Sequence, residues 1–516
     1  MKKSGFFRRF GKTAVAVITA ALIAACSFPG VEIEAEDVNP APEGALTQKD
    51  YLALMKTRES HKVSVEELQK IAAGVAAGNG EARSAAAQSV ITGVRQVPVS
   101  VNGRFAGFTP KGARSAVSAE PESEPVEIYE FSVGLAGSPE AESFVLGSTD
   151  DRIGNVLAIT EGSLEEADET FVEVFNANLQ EYIDATIEEY NGISEADIEA
   201  ALGKALAEDV KGARALSNHW SGINLDGWQA YSYTSNFVAQ KNPLLNTKWG
   251  QGSKGSYSVS DYAYNNYIRH LMGANYIAGC GPVAMAQIIA YHNYIKSVAS
   301  YKPAPFNIAN VGEWSGTYNL SQIRNMPAIT NASPPQIKGQ VAALMYQVGK
   351  LASANYQENN TGVNISGVKN AFETLGYSIT NYAYATSLSE TSNSSTIYYS
   401  TTPATIKSAL DNNRPIYTRG QPSTGSGHAW VMDGYGSMTS YREYFYNAKT
   451  GATTYVTITL SNCLMVHCNL GWNGNANGWY TYGIFDTVNR TLLESNSSYG
   501  AGNYSTNTMI LVPKRP

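Results

Sequence analysis

One cysteine in this chain stands where a thiol could become a nucleophile. Cys280 is flanked by Gly279 and Gly281 and followed by Pro282 and the run Val283-Ala284-Met285-Ala286-Gln287-Ile288-Ile289-Ala290. Proline is tolerated in a first helical turn, so the pattern predicts a buried helix that begins at the cysteine. A thiol there meets the positive end of the helix dipole and unpaired amide groups. Both favour the thiolate, the form that attacks carbonyl carbon. The flanking glycines would let an extended substrate backbone approach closely. A lone cysteine capping a core helix is also an ordinary structural feature, so the chemistry needs further groups.

A base is offered by Gly427-His428-Ala429-Trp430-Val431-Met432-Asp433-Gly434-Tyr435, an apolar strand entered through glycine with a histidine at its first position. An imidazole held at a strand start suits general acid–base work beside a thiol. The base in turn needs a polar group to hold one tautomer, and His467-Cys468-Asn469-Leu470-Gly471-Trp472-Asn473-Gly474 supplies one. Asn469 is the candidate orienter and Trp472 the aromatic that would shield the bond. Asp433 is a rival orienter, but its place five residues after His428 reads better as a turn. His467 shares a strand face with Asn469 by period-two spacing and reads as structural. Finally, Gln251 in Trp249-Gly250-Gln251-Gly252 could pair its amide with the Cys280 N–H as an oxyanion hole.

These residues lie in the rear of a chain of 516 residues, too long for one ordinary core. Beyond residue 215 there are 18 basic and 11 acidic side chains, against 19 basic and 34 acidic before it. An acidic front joined to a basic rear suggests two bodies that attract. In the front, helical periodicity runs from Thr47 to about Ala77, and residues 78–125 read as loop with short strands. Val126 to Phe131 and Ser143 to Leu146 alternate as strands, and helices are predicted over 164–190 and 195–206. The front carries His61, no cysteine past the leader, and no catalytic constellation.

The N-terminus reads as an export signal. Lys2, Lys3, Arg8, Arg9 and Lys12 precede an apolar run, Thr13 to Ala25, too short to span a bilayer. It ends Leu22-Ile23-Ala24-Ala25-Cys26, which resembles a lipobox, so Cys26 is the expected lipidation site. An ordinary signal cut after Ala25 is the alternative. Of the remaining cysteines, Cys463 and Cys468 lie an odd number of residues apart in a strand-like run and should face opposite sides, unpaired and buried. No His-Glu-x-x-His or Gly-x-Ser-x-Gly pattern occurs, so no metal or cofactor is implied. A pI near 5.5 without a clustered basic face argues against nucleic acid.

Taken in order, Gln251, Cys280, His428 and Asn469 resemble the site of the streptopain (C10) family of papain-type cysteine peptidases. The intervals of 29, 148 and 41 residues suit that family. Phe144 to Arg152 is similar to a strand-turn of the family's prosegment. Two departures stand out: Leu470 replaces the first tryptophan of the family's Asn-Trp-Gly-Trp, and Gly281-Pro282 replaces a common Val-Ala. The resemblance implies an α+β fold, with a helix-rich part carrying the Cys and an antiparallel β part carrying His and Asn. A small α+β inhibitory prodomain would precede this papain-like domain. The expected division is 1–25 signal peptide, 26–46 spacer, 47–212 prodomain, 213–240 activation linker and 241–516 peptidase. The expected function is an exported or surface-anchored cysteine endopeptidase made as a zymogen, with a hydrophobic P2 preference. Its expected partners are protein or peptide substrates and its own prodomain, with membrane contact only through a lipid anchor. Gly279 and Gly427 are expected as supporting residues. A papain-like cell-wall amidase and a non-catalytic surface binding lipoprotein are the alternatives, and reaction with a thiol-directed epoxide would separate an enzyme from an adhesin.

Overall fold

The structure is a computed structural model. It describes residues 46–56, 61–79, 89–97, 126–136, 141–212, 229–251, 259–273, 275–296, 302–308, 312–330, 332–358, 360–384, 403–421, 427–447, 453–485 and 507–516. The predicted leader, the lipidation site Cys26 and spacer positions up to 45 lie outside the described residues, as do positions 213–228 of the expected linker. No helix among the described residues is long and apolar enough to cross a membrane.

The front region begins with helices α1 (Gln48–Met55) and α2 (Val65–Asn79). Four strands follow: β1 (Ser89–Val97), β2 (Ile128–Leu135), β3 (Ala141–Ser148) and β4 (Val156–Thr160). Two more helices complete it, α3 (Glu169–Gly192) and α4 (Glu195–Gly212). Local signals set these ends. Thr47 caps α1 in a reciprocal box, its hydroxyl accepting from Asp50 N–H at 3.2 Å while Asp50 Oδ2 accepts from Thr47 N–H at 2.8 Å. Asp168 caps α3 through bonds from Thr170 N–H and Phe171 N–H at 3.0 and 3.2 Å.

Residues 229–240 of the expected linker belong to strand β5 (Gln229–Lys241), which leads into the rear region. There α5 (Val259–Met272), α6 (Cys280–His292), α7 (Pro335–Leu351) and α8 (Ile365–Thr374) surround one apolar cluster. Small hairpins β6 (Phe306–Ile308) with β7 (Gly312–Trp314), and β8 (Asn355–Gln357) with β9 (Asn360–Gly362), decorate this helical part. The β part holds β10 (Ser378–Tyr384), helix α9 (Pro403–Asp411), β11 (Ile416–Gln421), β12 (His428–Asn447), β13 (Thr453–Asn469), β14 (Gly478–Thr481) and β15 (Asn507–Lys514). The fold is therefore α+β, with Cys280 on the helical side and His428 and Asn469 on an antiparallel sheet.

The two regions share that sheet. Its order is β1-β2-β3-β4-β14-β13-β12-β11-β15-β10, with β5 alongside β12. The junction is β4 against β14, in register Gly478 to Thr160 and Tyr480 to Ala158. Tyr233 and Phe237 of β5, Met438, Met465 and Trp479 complete the apolar cluster of the front helices, packing with Leu52, Leu68 and Ile71. Conversely, Phe171 and Phe175 of α3 enter the cluster that holds Trp430 and Leu470 of the rear. Contacts of opposite charge cross the boundary, Lys248 with Glu161 among them, and Tyr233 donates to Asp151 Oδ2 at 3.0 Å. Cys463 packs on the front cluster and Cys468 lies inside the other one, as period-two geometry requires. Both are free thiols.

Candidate active site

Helix α6 starts at Cys280 because Gly279 turns the chain with φ of +88°, a conformation that disfavours any side chain. A Cβ there would also fall 2.7 Å from Thr361 Cβ. At the next position, a Cβ on Gly281 would sit 2.2 Å from Val363 Cγ2 and 3.1 Å from the Tyr417 hydroxyl. Val363 and Tyr417 thus fill the space that a larger residue at 281 would take, which accounts for this departure from the family pattern. Cys280 itself is half-buried, and its amide belongs to the unpaired first turn.

His428 is the first residue of β12, opposite Gly420 of β11, and is buried. Its ring lies nearly parallel to Trp430, with centroids 6.2 Å apart, and edge-on to Phe171 at 5.6 Å. The imidazole Nε2 donates to the Leu470 carbonyl at 2.9 Å, a bond that leaves Nδ1 for other partners. Burial pushes the Cys280 thiol up, but the neighbouring His428 charge, a hydrogen bond to His428 and one from the Ala429 N–H outweigh it. The thiol lies below its ordinary value, with the Asp168 carboxylate opposing. Burial pulls His428 down, yet the Cys280 thiolate, its hydrogen bond, Asp168 and the Leu470 carbonyl raise it above the ordinary imidazole value. Both directions favour a thiolate–imidazolium pair. The other two cysteines among the described residues behave oppositely: burial pushes Cys463 up to about 11 and Cys468 well above the ordinary thiol value.

Asn469 does not hold the His428 ring in this arrangement. Its Nδ2 donates to the Thr247 carbonyl at 2.6 Å, and its Oδ1 accepts from Gln287 Nε2 at 3.1 Å and from Gly471 N–H at 3.3 Å. The amide oxygen thus already accepts two bonds, and the ring turns to the backbone carbonyl one residue further on. Leu470 is buried in the same cluster as Phe171 and Trp430, so apolar side chains cover the ring where the family pattern has tryptophan. Trp472 is half-buried, and its backbone bridges to Gly250. That bridge lays the Gln251 loop along the segment after Asn469, with Gln251 itself buried. Gly427, half-buried, precedes His428 directly.

Two groups escaped the sequence reading. Gln287 is a fully buried amide in an otherwise apolar stretch of α6, and that interruption was the available signal. The N-terminus of α3 is the second. Asp168 Oδ1 stands 3.6 Å from His428 Nδ1, and Thr170 Oγ1 stands 3.4 Å from it. No motif marks these residues, because capping aspartates are common and only the tertiary fold brings this one to the histidine. Asp433, expected in a turn, is instead buried within β12 and bonded to His467 Nδ1 at 2.6 Å. Among the described residues no cluster could hold a metal ion.

This geometry defines a thiol-histidine site between a helix terminus and a sheet edge. Residues 259–480 match the model of the Peptidase C10 family. Streptopain of Streptococcus pyogenes is 25% identical over 244 residues, covering 45% of this chain and 51% of the relative. The chain thus spans about half the length of the curated relatives it matches. Among solved structures, a Prevotella intermedia prointerpain A fragment with cysteine replaced by alanine is 18% identical, with a TM-score of 0.38. It covers 74% of this chain and 94% of that one. Active wild-type interpain A cysteine protease of the same organism is 20% identical, with a TM-score of 0.31, covering 53% of this chain and 95% of that one.

Proposed function

We propose that this chain is the zymogen of an exported cysteine endopeptidase in which Cys280 is the nucleophile and His428 the acid–base partner. The observation that carries the reading is the pairing itself. A thiol at a helix N-terminus is held below its ordinary value, beside an imidazole held above its own. The Cys280 thiolate attacks the substrate carbonyl carbon, and the oxyanion that forms is met by the Cys280 N–H and the Gln251 amide. The His428 imidazolium then gives its proton to the leaving amine, which departs as the thioester forms. Water, deprotonated by His428, hydrolyses the thioester and restores the thiol. Asn469 acts through the loop that presents Leu470 to the ring.

In the same reading residues 47–212 are the inhibitory prosegment, 213–240 the stretch within which processing falls, and 241–516 the peptidase. Asp168, Thr170 and Phe171 against the imidazole support an inhibitory role for α3, since a substrate must displace them to reach His428. Residues 1–25 serve as the signal peptide, Cys26 as the lipid attachment point and 26–46 as the spacer from the membrane. A hydrophobic residue is preferred at P2. The test is a chain starting after Cys26, as wild type and as Cys280→Ala, incubated with mild reductant and followed by intact mass. Trimming to roughly the C-terminal three hundred residues in wild type alone supports the zymogen. Trimming or casein cleavage that survives Cys280→Ala overturns the assignment.

A further inference from the structure

We propose that Gln287 is a positioning residue of this site, fixing the Asn469 segment and the Gln251 loop against the helix that carries Cys280. The inference rests on the peptidase reading and adds to it a group whose role that reading leaves open. Gln287 lies seven residues after Cys280, about two turns along α6. It is fully buried among Ala286, Ile288 and Ile289. A buried amide is costly unless its donor and acceptor are both used. Gln287 Oε1 accepts from Trp249 N–H at 3.2 Å, and Nε2 donates to Asn469 Oδ1 at 3.1 Å.

Both bonds leave the helix for the segments that carry the other candidate groups. Trp249 stands two residues before Gln251, and its indole N–H donates to the Met326 carbonyl at 3.0 Å. The loop is therefore pinned immediately before Gln251. Asn469 returns to the same loop through Thr247, closing a circuit from α6 to residues 247–249 to the end of β13. Leu470 follows Asn469 directly, and its carbonyl is the acceptor of His428 Nε2. The length of one glutamine side chain thus sets how far the His428 acceptor and the oxyanion loop stand from the thiol's own helix. For filling space, an apolar side chain of similar volume would serve, with the buried Trp249 N–H left without its acceptor. For catalysis it would not, because a misplacement of about 1 Å can cost about a hundredfold in rate.

The test uses the full chain, processed to its active form, as wild type, Gln287→Met and Gln287→Glu. The readouts are kcat and KM on a peptide substrate across pH, together with Cys280 alkylation by iodoacetamide. Gln287→Met is expected to keep KM while kcat falls about tenfold to a hundredfold. Gln287→Glu separates positioning from packing, because a buried carboxyl keeps its proton to higher pH than usual. The protonated acid donates to Asn469 Oδ1 as the amide did, whereas the carboxylate cannot. The ratio of Gln287→Glu activity to wild type should therefore approach one at acid pH and fall as pH rises, whereas the ratio for Gln287→Met should not change with pH. The inference is overturned if the folded variants keep kcat within about threefold and the wild-type profile. It is equally overturned if Gln287→Glu is impaired to the same degree at every pH. If Gln287→Met does not fold, the Gln287→Glu profile decides alone. A wild type that neither cleaves the peptide nor reacts with a thiol-directed epoxide at Cys280 overturns the peptidase reading, and this inference with it.

Discussion

His428 and His467 occupy the paired strands β12 and β13, both buried and each beside an aspartate. By hydrogen bonding His467 has the better acid partner. Asp433 Oδ1 meets His467 Nδ1 at 2.6 Å, while Asp168 Oδ1 stands 3.6 Å from His428 Nδ1. Asp433 is itself held, its Oδ2 accepting from Leu245 N–H at 2.9 Å. What His467 lacks is a nucleophile. Its ring packs edge-on to Trp479 at 5.1 Å, and the adjacent Cys468 points to the other face of the strand. Burial holds that thiol protonated, with Asp433 adding to the effect. An acid at ideal distance orients an imidazole but does not make it a base. The group facing its other nitrogen decides that. The two aspartates also differ in origin: Asp433 is on the neighbouring strand for good, whereas Asp168 belongs to the region that processing would remove.

The largest test of this contrast exchanges the two histidines' fates. His428→Gln should lower kcat/KM of the processed enzyme by about a thousandfold or more while leaving thermal unfolding nearly unchanged. His467→Leu should do the reverse. It leaves Asp433 buried with one partner lost, which costs about 3–5 kcal/mol, yet the enzyme that still folds should turn over near the wild-type rate. Paired kinetics and denaturant titrations of both variants decide, and a His467→Leu protein that is stable but inactive would collapse the distinction.

A second, smaller effect is read in the thiol. In wild type the ion pair exists between the lowered value of Cys280 and the raised value of His428. Below that window the thiolate takes up its proton, and above it the imidazolium gives one up. Alkylation of Cys280 should therefore begin on the acid side of an ordinary thiol. In His428→Gln both contributions of the histidine are lost, leaving burial and Asp168 against the Ala429 N–H bond, so the onset should move to the alkaline side of the ordinary value. An unchanged onset would mean that the helix terminus, not the histidine, sets the thiolate.

Residue patterns along the chain carry this site unevenly. Cys280 and His428 are legible because each stands at the start of an element, and an element start has local signatures: glycine before it, proline or apolar alternation after it. Several front elements are legible for the same reason, among them β2, β3, α3 and α4, but the helical run expected over 47–77 is two helices, α1 and α2, and β4 carries no strand expectation. Asn469 is only partly legible. Its type and place on β13 follow from the sequence, but its partners Gln287 and Thr247 come from elements 182 and 222 residues away. The Asp433–His467 pair fails differently. A single aspartate in an apolar run reads as a turn until a histidine on the next strand is brought opposite, and register between long strands is a tertiary property. The same limit hides the continuity of the sheet from β4 to β14. Nothing in Val156 to Thr160 announces that its partner lies three hundred residues downstream.

The smallest effect concerns Asp168, the aspartate on loan from the front region. Asn caps a helix about as well as Asp, so Asp168→Asn should cost α3 no more than a few tenths of a kcal/mol. The charge is what changes. Asp168 opposes ionisation of the Cys280 thiol and favours the His428 imidazolium. Removing it should let Cys280 ionise at lower pH in the unprocessed chain and raise its alkylation at mildly acid pH by about twofold, the scale of a partly exposed ion pair. In the processed enzyme the same substitution should change nothing, because residue 168 would have left with the prosegment. Mass-resolved alkylation of both forms from one preparation measures this directly. Equal rates for wild type and Asp168→Asn in the unprocessed chain would show that Asp168 acts on the site by position alone, and that Thr170 and Phe171 account for the contact.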